Sequence, residues 1–204
     1  GSAEAAHAKV ATEPVGVTGS EQVQVRVRAA SAGARIERLS ATFVDGGTSA
    51  ADASLGATPA ATAGAAAVKP TIITRAQWGA DESLRTCSPD YVDKVKGAIV
   101  DHTVNSNTYS ADAVPGLLRG IYAYHVNGNG WCDIGYQFFV DRFGRLYEGR
   151  YGGVARNVVG AQAQGFNSQS FAVSSLGNHD PATAGAIAPT SAVLTAIGKM
   201  IGWK

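Results

Sequence analysis

Charge is scarce in this chain. Asp, Glu, Lys and Arg make up 16% of it and the net charge is +1. Without a basic excess there is no electrostatic footprint for nucleic acid or an anionic membrane surface. No apolar run approaches the roughly 20 residues that a spanning helix needs. No secretory leader is visible, and Gly1-Ser2 reads as a remnant of expression, so a leader is expected to have been removed. Histidine is sparse too: His7, His102, His125 and His179 are the full set. No HExxH, GxSxG, P-loop or dinucleotide-binding glycine motif stands where it would count. A serine nucleophile therefore has no recognisable anchor. Cys87 and Cys132 are the only cysteines, and neither belongs to a CxxC pair. Two readings stand for them. They are a bridge closing a long loop, worth on the order of 4 kcal/mol in the chain-entropy model, or two buried thiols. The position of Cys132 beside a polar cluster and a compartment that reads as oxidising favour the bridge.

What is present divides the chain into three parts. In residues 1–47, Val23, Val25 and Val27 alternate with Gln24, Arg26 and Arg28, the period of a strand with one buried face. Residues 36–44 read as a second strand, ending at Asp45-Gly46-Gly47. Residues 48–69 are almost entirely Ala, Gly, Ser, Thr and Pro, which cannot bury a core and read as a linker. Residues 70–204 carry the patterns of a compact α/β domain, a central mixed β-sheet flanked by helices. Ile72-Ile73 precedes a short helical turn capped by Thr74. Gly97-Ala98-Ile99-Val100 reads as a short buried strand that delivers Asp101, His102 and Thr103 at its end. Residues 110–126 predict a helix with Ser110 as cap, a stripe of Val114, Leu117, Leu118 and Ile121, and Pro115 delaying its start. Strands are also expected at Val158-Val159 and from Phe171 to Leu176. Val193, Leu194, Ile197, Met200 and Ile201 fit a last helix capped by Thr190 or Ser191. That helix reaches Lys204 without a stop signal, so the domain is expected to continue beyond it.

The richest stretch runs from Trp131 to Arg150. Gln137–Val140 is too apolar for a solvated strand, residues 141–145 turn the chain, and Leu146-Tyr147-Glu148 returns. Such a hairpin displays Asp133, Tyr136 and Arg150 at its ends. A dispersed polar set accompanies it: Asp101, His102, His125, Gln162, Asn167 and Asn178. Each alone reads as a satisfied turn or core hydrogen bond. Gathered around Trp131, Tyr136 and Tyr147, they describe a cleft for polar, partly carbohydrate ligands, since aromatic faces stack on sugar rings and Asn, Gln and Arg bond hydroxyls, amides and carboxylates.

Five segments, in order, resemble a peptidoglycan recognition protein domain of the type-2 N-acetylmuramoyl-L-alanine amidase superfamily, in an actinobacterial version. They are ITRAQWGADES (73–83), DHTVNSNTYS (101–110), RGIYAYH (119–125), GWCDIGYQFFVDRFGRLYEGRYGG (130–153) and VVGAQAQGFNSQSFAVSSLGNHD (158–180). The resemblance covers residues 72–204 and leaves 1–69 unexplained. It implies a mixed sheet with surrounding helices, a groove for peptidoglycan or its muropeptides, and a secreted or cell-wall-associated protein. It sets no oligomeric state. In active members a zinc ion polarises the carbonyl between N-acetylmuramic acid and L-Ala and activates a water. Three protein ligands and an open fourth position are needed.

By that resemblance Asp101 stands where the family has its first zinc-binding His, and His102 matches the second His of the motif. Tyr136 takes a catalytic role near the scissile carbonyl, or is a strand-end tyrosine bonded to backbone. The two remaining ligands lie in a segment after the last helix that this sequence does not contain, and His179 belongs to an earlier loop. Weak zinc binding or none is therefore expected of this chain. His125, Trp131, Arg150, Gln162 and Asn167 are implied to line the groove. Arg150 pairs with a stem-peptide carboxylate or is a surface charge at a hairpin end. His125 faces the groove or is a helix-end residue stabilised by the dipole. Two functions compete: a secreted zinc amidase, and a non-catalytic peptidoglycan-binding or sensing module. A third, weaker reading makes residues 22–47 an adhesion or oligomerisation module with an exposed sheet edge.

Overall fold

The structure, a computed structural model, describes residues 68–204 together with Gly47 and Ala50. The strands expected at 22–28 and 36–44, and nearly all of the linker, lie outside the described residues. Five strands, β1 (Ile72–Ile73), β2 (Gly97–His102), β3 (Phe138–Val140), β4 (Leu146–Glu148) and β5 (Ser170–Ser175), form one sheet in the order β1-β4-β3-β5-β2. Only β3 and β4 pair antiparallel; β1–β4, β3–β5 and β5–β2 are parallel. The sheet is mixed, as the patterns predict.

Local chemistry explains the elements. Helix α1 (Arg75–Trp78) starts with a reciprocal capping box: the Gln77 amide N–H donates to the Thr74 hydroxyl, and the Thr74 N–H donates to Gln77 Oε1 at 2.8 Å. Its Trp78 is fully buried. The hairpin turn is organised by Asp141, whose buried carboxylate accepts from the Phe143 and Arg145 amides at 3.0 and 2.9 Å. The same carboxylate accepts from Arg145 Nε at 2.6 Å and the Tyr147 hydroxyl at 2.8 Å. Gly144 closes the turn at φ 81, where a side chain would also meet the Ala192 carbonyl.

Helix α2 (Val114–Ala123) has Pro115 in its first turn, where the missing N–H costs nothing. A 3₁₀ turn at Ala111–Ala113 precedes it, and Ser110 makes no side-chain cap bond there. A π-type turn, Tyr124–Gly128, ends it. Helix α3 (Ser191–Trp203) begins where the Val193 N–H donates to the Thr190 hydroxyl at 3.2 Å. The two faces of the sheet bury separate cores. Phe139 and Tyr147 join Trp78, Leu118 and Tyr122 on the α2 side. Phe138, Val140 and Val173 join Val193, Ile197 and Met200 on the α3 side. This split is the period-two alternation of strand side chains.

Three expectations need correction. β2 extends through Asp101 and His102 and is a sheet edge, so Val100 is 54% exposed and not part of a buried strand. Val158 makes only an isolated bridge to Tyr91, because the Gln137 side chain takes the Val158 carbonyl at 2.8 Å. On α3, Leu194 and Ile201 face solvent at 58% and 42% exposure, since the apolar stripe is wider than the contact with the sheet. Among the described residues no helix is long and apolar enough to cross a membrane.

Candidate functional site

The end of β2 and the segment entering β3 meet at a carboxylate and a phenol. The Tyr136 hydroxyl donates to Asp101 Oδ2 at 2.8 Å, and the His102 N–H donates to Asp101 Oδ1 at 2.8 Å. The Tyr136 ring packs edge-to-face on Phe139, with centroids 5.6 Å apart. Tyr136 is thus tied to a side chain. Beyond Asp101 the chain is strained. Val104, a β-branched residue, sits at φ 56, held by the bonds of Thr103 and Asn105 to the Gly177 N–H.

The π-type turn lowers His125 into the protein. Its Nδ1 accepts from the Gly135 N–H at 3.1 Å, which places the ring proton on Nε2. Burial, aided by the nearby Arg150 charge, pushes the imidazole pKa down to about 3. His125 is therefore neutral, and the dipole-stabilised helix-end cation is overturned. The Trp131 ring lies 4.7 Å from His125 and covers Gly135, where a Cβ would come within 2.6 Å of the indole. Tyr136 lies 5.9 Å from the same imidazole. Trp131, His125 and Tyr136 thus form one aromatic cluster, with ring planes tilted by 39° and 56°. The Trp131 indole N–H is buried and has no hydrogen-bond partner among the described residues.

Beside this cluster lies a bonded base. Cys87 and Cys132 form a disulfide, which settles the two open readings of the cysteines. Asp133 is buried, accepting from the Ile134 N–H at 2.7 Å, Arg75 Nη1 at 3.3 Å and the Tyr151 N–H at 2.9 Å. Arg150 is only 8% exposed, donating to the Ile134 carbonyl at 3.2 Å and reaching the Cys132 sulfur at 3.6 Å. The surface-charge reading of Arg150 is overturned: its guanidinium is turned into the protein.

The remaining expected residues lie elsewhere. Gln162 donates to the Ser170 carbonyl and hydroxyl, both at 3.1 Å. Asn167 accepts from the Ala163 N–H at 2.8 Å and braces the same loop. Ser170 pairs with Gly97 and Ser174 with Asp101, so this loop meets the sheet about four residues, or roughly 13 Å, from Asp101. Asp101 and His102, as neighbours in a strand, project to opposite faces. His102 Nδ1 accepts from the His179 N–H at 2.9 Å. His179 in turn donates from Nδ1 to the Ile187 carbonyl at 2.8 Å, so its Nε2 accepts from the Ser175 hydroxyl at 2.9 Å. Sequence reasoning set His179 aside as part of an earlier loop and missed Ser175 and Ser174. Their relation to Asp101 and His102 is one of cross-strand register, and only the alternation within β5 hints at it.

No protein-family model matches the chain. Among curated proteins it is 36% identical over 126 residues to peptidoglycan-recognition protein SC2 of Drosophila melanogaster, covering 62% of this chain and 62% of that protein. The chain thus spans less than two thirds of that relative's length. Bumblebee PGRP-SA superposes with a TM-score of 0.56 at 29% identity, over 65% of this chain and 73% of that one. Human PGRP-Iβ C, solved in complex with glycosamyl muramyl pentapeptide, superposes with a TM-score of 0.56 at 28% identity, over 66% and 79%.

Proposed function

We infer that this chain, whose homologues are peptidoglycan-recognition proteins and whose fold is theirs, binds peptidoglycan fragments on the surface formed by Trp131, Tyr136 and Asp101. The observation that carries the reading is the aromatic cluster of Trp131, His125 and Tyr136 set beside the Asp101 carboxylate. Aromatic faces take the apolar faces of sugar rings, and a fixed carboxylate with a phenol takes hydroxyl and amide hydrogens. The human structural neighbour was solved with a muramyl pentapeptide, a ligand of this chemistry.

The protein's own groups supply binding and orientation. His125 is neutral and anchored to Gly135, so it holds the Trp131 ring in place without adding charge. Arg150, Asp133 and the disulfide fix the backbone that carries Trp131 and Tyr136. Arg150 acts as a positioning residue, and Gln162 and Asn167 shape a loop at a distance. The disulfide supports an extracellular or cell-wall location, where such bonds persist.

Zinc, which the family resemblance implies, does not fit the residues present. The Asp101 carboxylate is held by Tyr136 and its own neighbour, and His102 lies on the other face of β2. Among the described residues no three His, Cys, Asp or Glu side chains converge as a ligand set. The role assigned to Asp101 and Tyr136 is therefore binding.

Isothermal titration of the chain with a muramyl pentapeptide tests the reading. Saturable binding is expected, weakened about tenfold by Trp131→Ala, the effect of losing roughly 1.4 kcal/mol of stacking. Absence of saturable binding to any muropeptide sinks it.

A further inference from the structure

We propose that the outer side of α2 is the docking surface for residues 36–44 of the same chain, the second strand expected from sequence, with Gly47 as its anchor. A helix lying on a sheet ordinarily turns one polar face to water. Val114–Ala123 holds a single charged residue, Arg119, and none of its residues is exposed. Val114, Leu118, Ile121 and Tyr122 belong to the core shared with the sheet. Helical spacing puts Pro115, Gly116, Arg119, Gly120 and Ala123 on the other side. Pro115 and Arg119 are buried there. An outer side without a solvating charge is built to be covered.

Gly47 lies on that side and supplies the second observation. Arg119 divides its guanidinium between two carbonyls: Nη1 donates to Trp78 at 3.0 Å and Nη2 donates to Gly47 at 2.7 Å. The bond to Gly47 is charge-assisted, and its donor side chain is buried. Gly47 sits at φ 58, a turn conformation, and a Cβ on Gly116 would stand 3.7 Å from the same Gly47 oxygen. The contact fixes where the expected strand ends: on α2, with residues 36–44 immediately upstream. The far end of the linker is elsewhere, since the Lys69 ammonium lies 6.0 Å from the Trp203 ring of α3, on the opposite face of the sheet. The piece of chain left against α2 is therefore the N-terminal one.

The chemistry of the segment matches the surface. In a strand, Leu39, Ala41 and Phe43 share one face, and that face is apolar. Phe43 precedes Gly47 by four residues, about 13 Å of extended chain, against a helix roughly 15 Å long. Gly116 and Gly120 stand one turn apart and let a backbone come close. Among the described residues no atom lies within 4 Å of the place of a Gly120 Cβ, which leaves room for a side chain of the strand. Two strands are marginal alone, and α2 offers them the apolar partner they lack. The docking stands apart from the peptidoglycan reading.

The test uses the full chain, with Phe43→p-benzoylphenylalanine irradiated and the cross-linked peptides mapped by mass spectrometry. Cross-links within one chain to residues 114–123 are expected. Cross-links to any other surface, or none, overturn the proposal. Cross-links between chains overturn it as well, in favour of an oligomerisation module. Hydrogen exchange gives an independent reading. The amides of residues 36–44 should exchange about tenfold more slowly than those of an unstructured chain. Gly116→Trp sets an indole where Gly47 lies, and a helix accepts Trp better than Gly, so α2 persists. In that variant the protection of residues 36–44 should be lost while that of Phe138–Val140 and Ser170–Ser175 is unchanged. Exchange of residues 36–44 at unstructured rates in the unaltered chain overturns the docking, and so does protection that survives Gly116→Trp. Should the variant loosen the sheet too, the cross-link map decides.

Discussion

Acid should unfold this protein partly through His125. The imidazole is buried against Trp131, accepts from the Gly135 N–H, and has its pKa pushed from 6.5 down to about 3. In the unfolded chain the same group protonates near its ordinary value. Between these two pKa values the unfolded state therefore holds a proton that the folded state refuses. Stability is full above pH 6.5 and declines as pH falls toward 3, with a limiting slope of about 1.4 kcal/mol per pH unit. At pH 5.5 the loss from this one group is about 1.4 kcal/mol relative to neutral pH, before most carboxylates titrate. The assay is urea unfolding at pH 7.5 and pH 5.5 for the unaltered chain and for His125→Asn, which offers an acceptor near the place of Nδ1. The variant starts less stable because it is smaller, so the informative quantity is the change with pH. The unaltered chain should lose about 1.4 kcal/mol more than the variant between the two conditions. Equal losses would falsify the argument, as would an NMR titration showing His125 protonating near pH 6.5.

Two further outcomes follow from the scaffold. Replacing both Cys87 and Cys132 by serine opens a bridge spanning 45 residues and should cost about 4 kcal/mol by loop entropy, read as a lower urea midpoint; a loss under about 1 kcal/mol would show that the bridge constrains little. Asp141→Ala leaves Arg145 buried without its carboxylate and should cost about 3–5 kcal/mol in the same assay, and a surface-like change of under about 0.5 kcal/mol would refute the role given to that carboxylate.

Much of this fold is readable from local pattern. The Thr74–Gln77 box, the hairpin and the Thr190 cap each depend on residues within a few positions, and all three form. The mixed sheet follows from alternating strand and helix signals. Features that depend on distant partners are not legible in the same way. Val158-Val159 has the composition of a strand, but a side chain from Gln137 occupies its carbonyl. Gly97–Val100 is apolar enough for a buried strand, yet sheet order puts it at an edge. Arg150 and His125 look like surface groups in sequence, and only the fold shows that both are enclosed. Tyr136 and Asp101 are legible as separate candidates; their bond to each other is not, because nothing in the chain between them encodes a 2.8 Å contact.

The sheet order also constrains how the chain can assemble. Of the four strand pairings only β3–β4 is local, joined by the Asp141 turn. The others bring together Ile72 with Leu146, Gly97 with Ser170 and Phe138 with Val173. Each must close a long loop before it returns any binding energy. The hairpin is therefore the one pairing of the sheet that closes only a short loop, while β5 and β2 come to it from distant parts of the chain. The bond of Tyr136 to Asp101, 35 residues apart in the chain, therefore rests on these non-local pairings and not on the local hairpin.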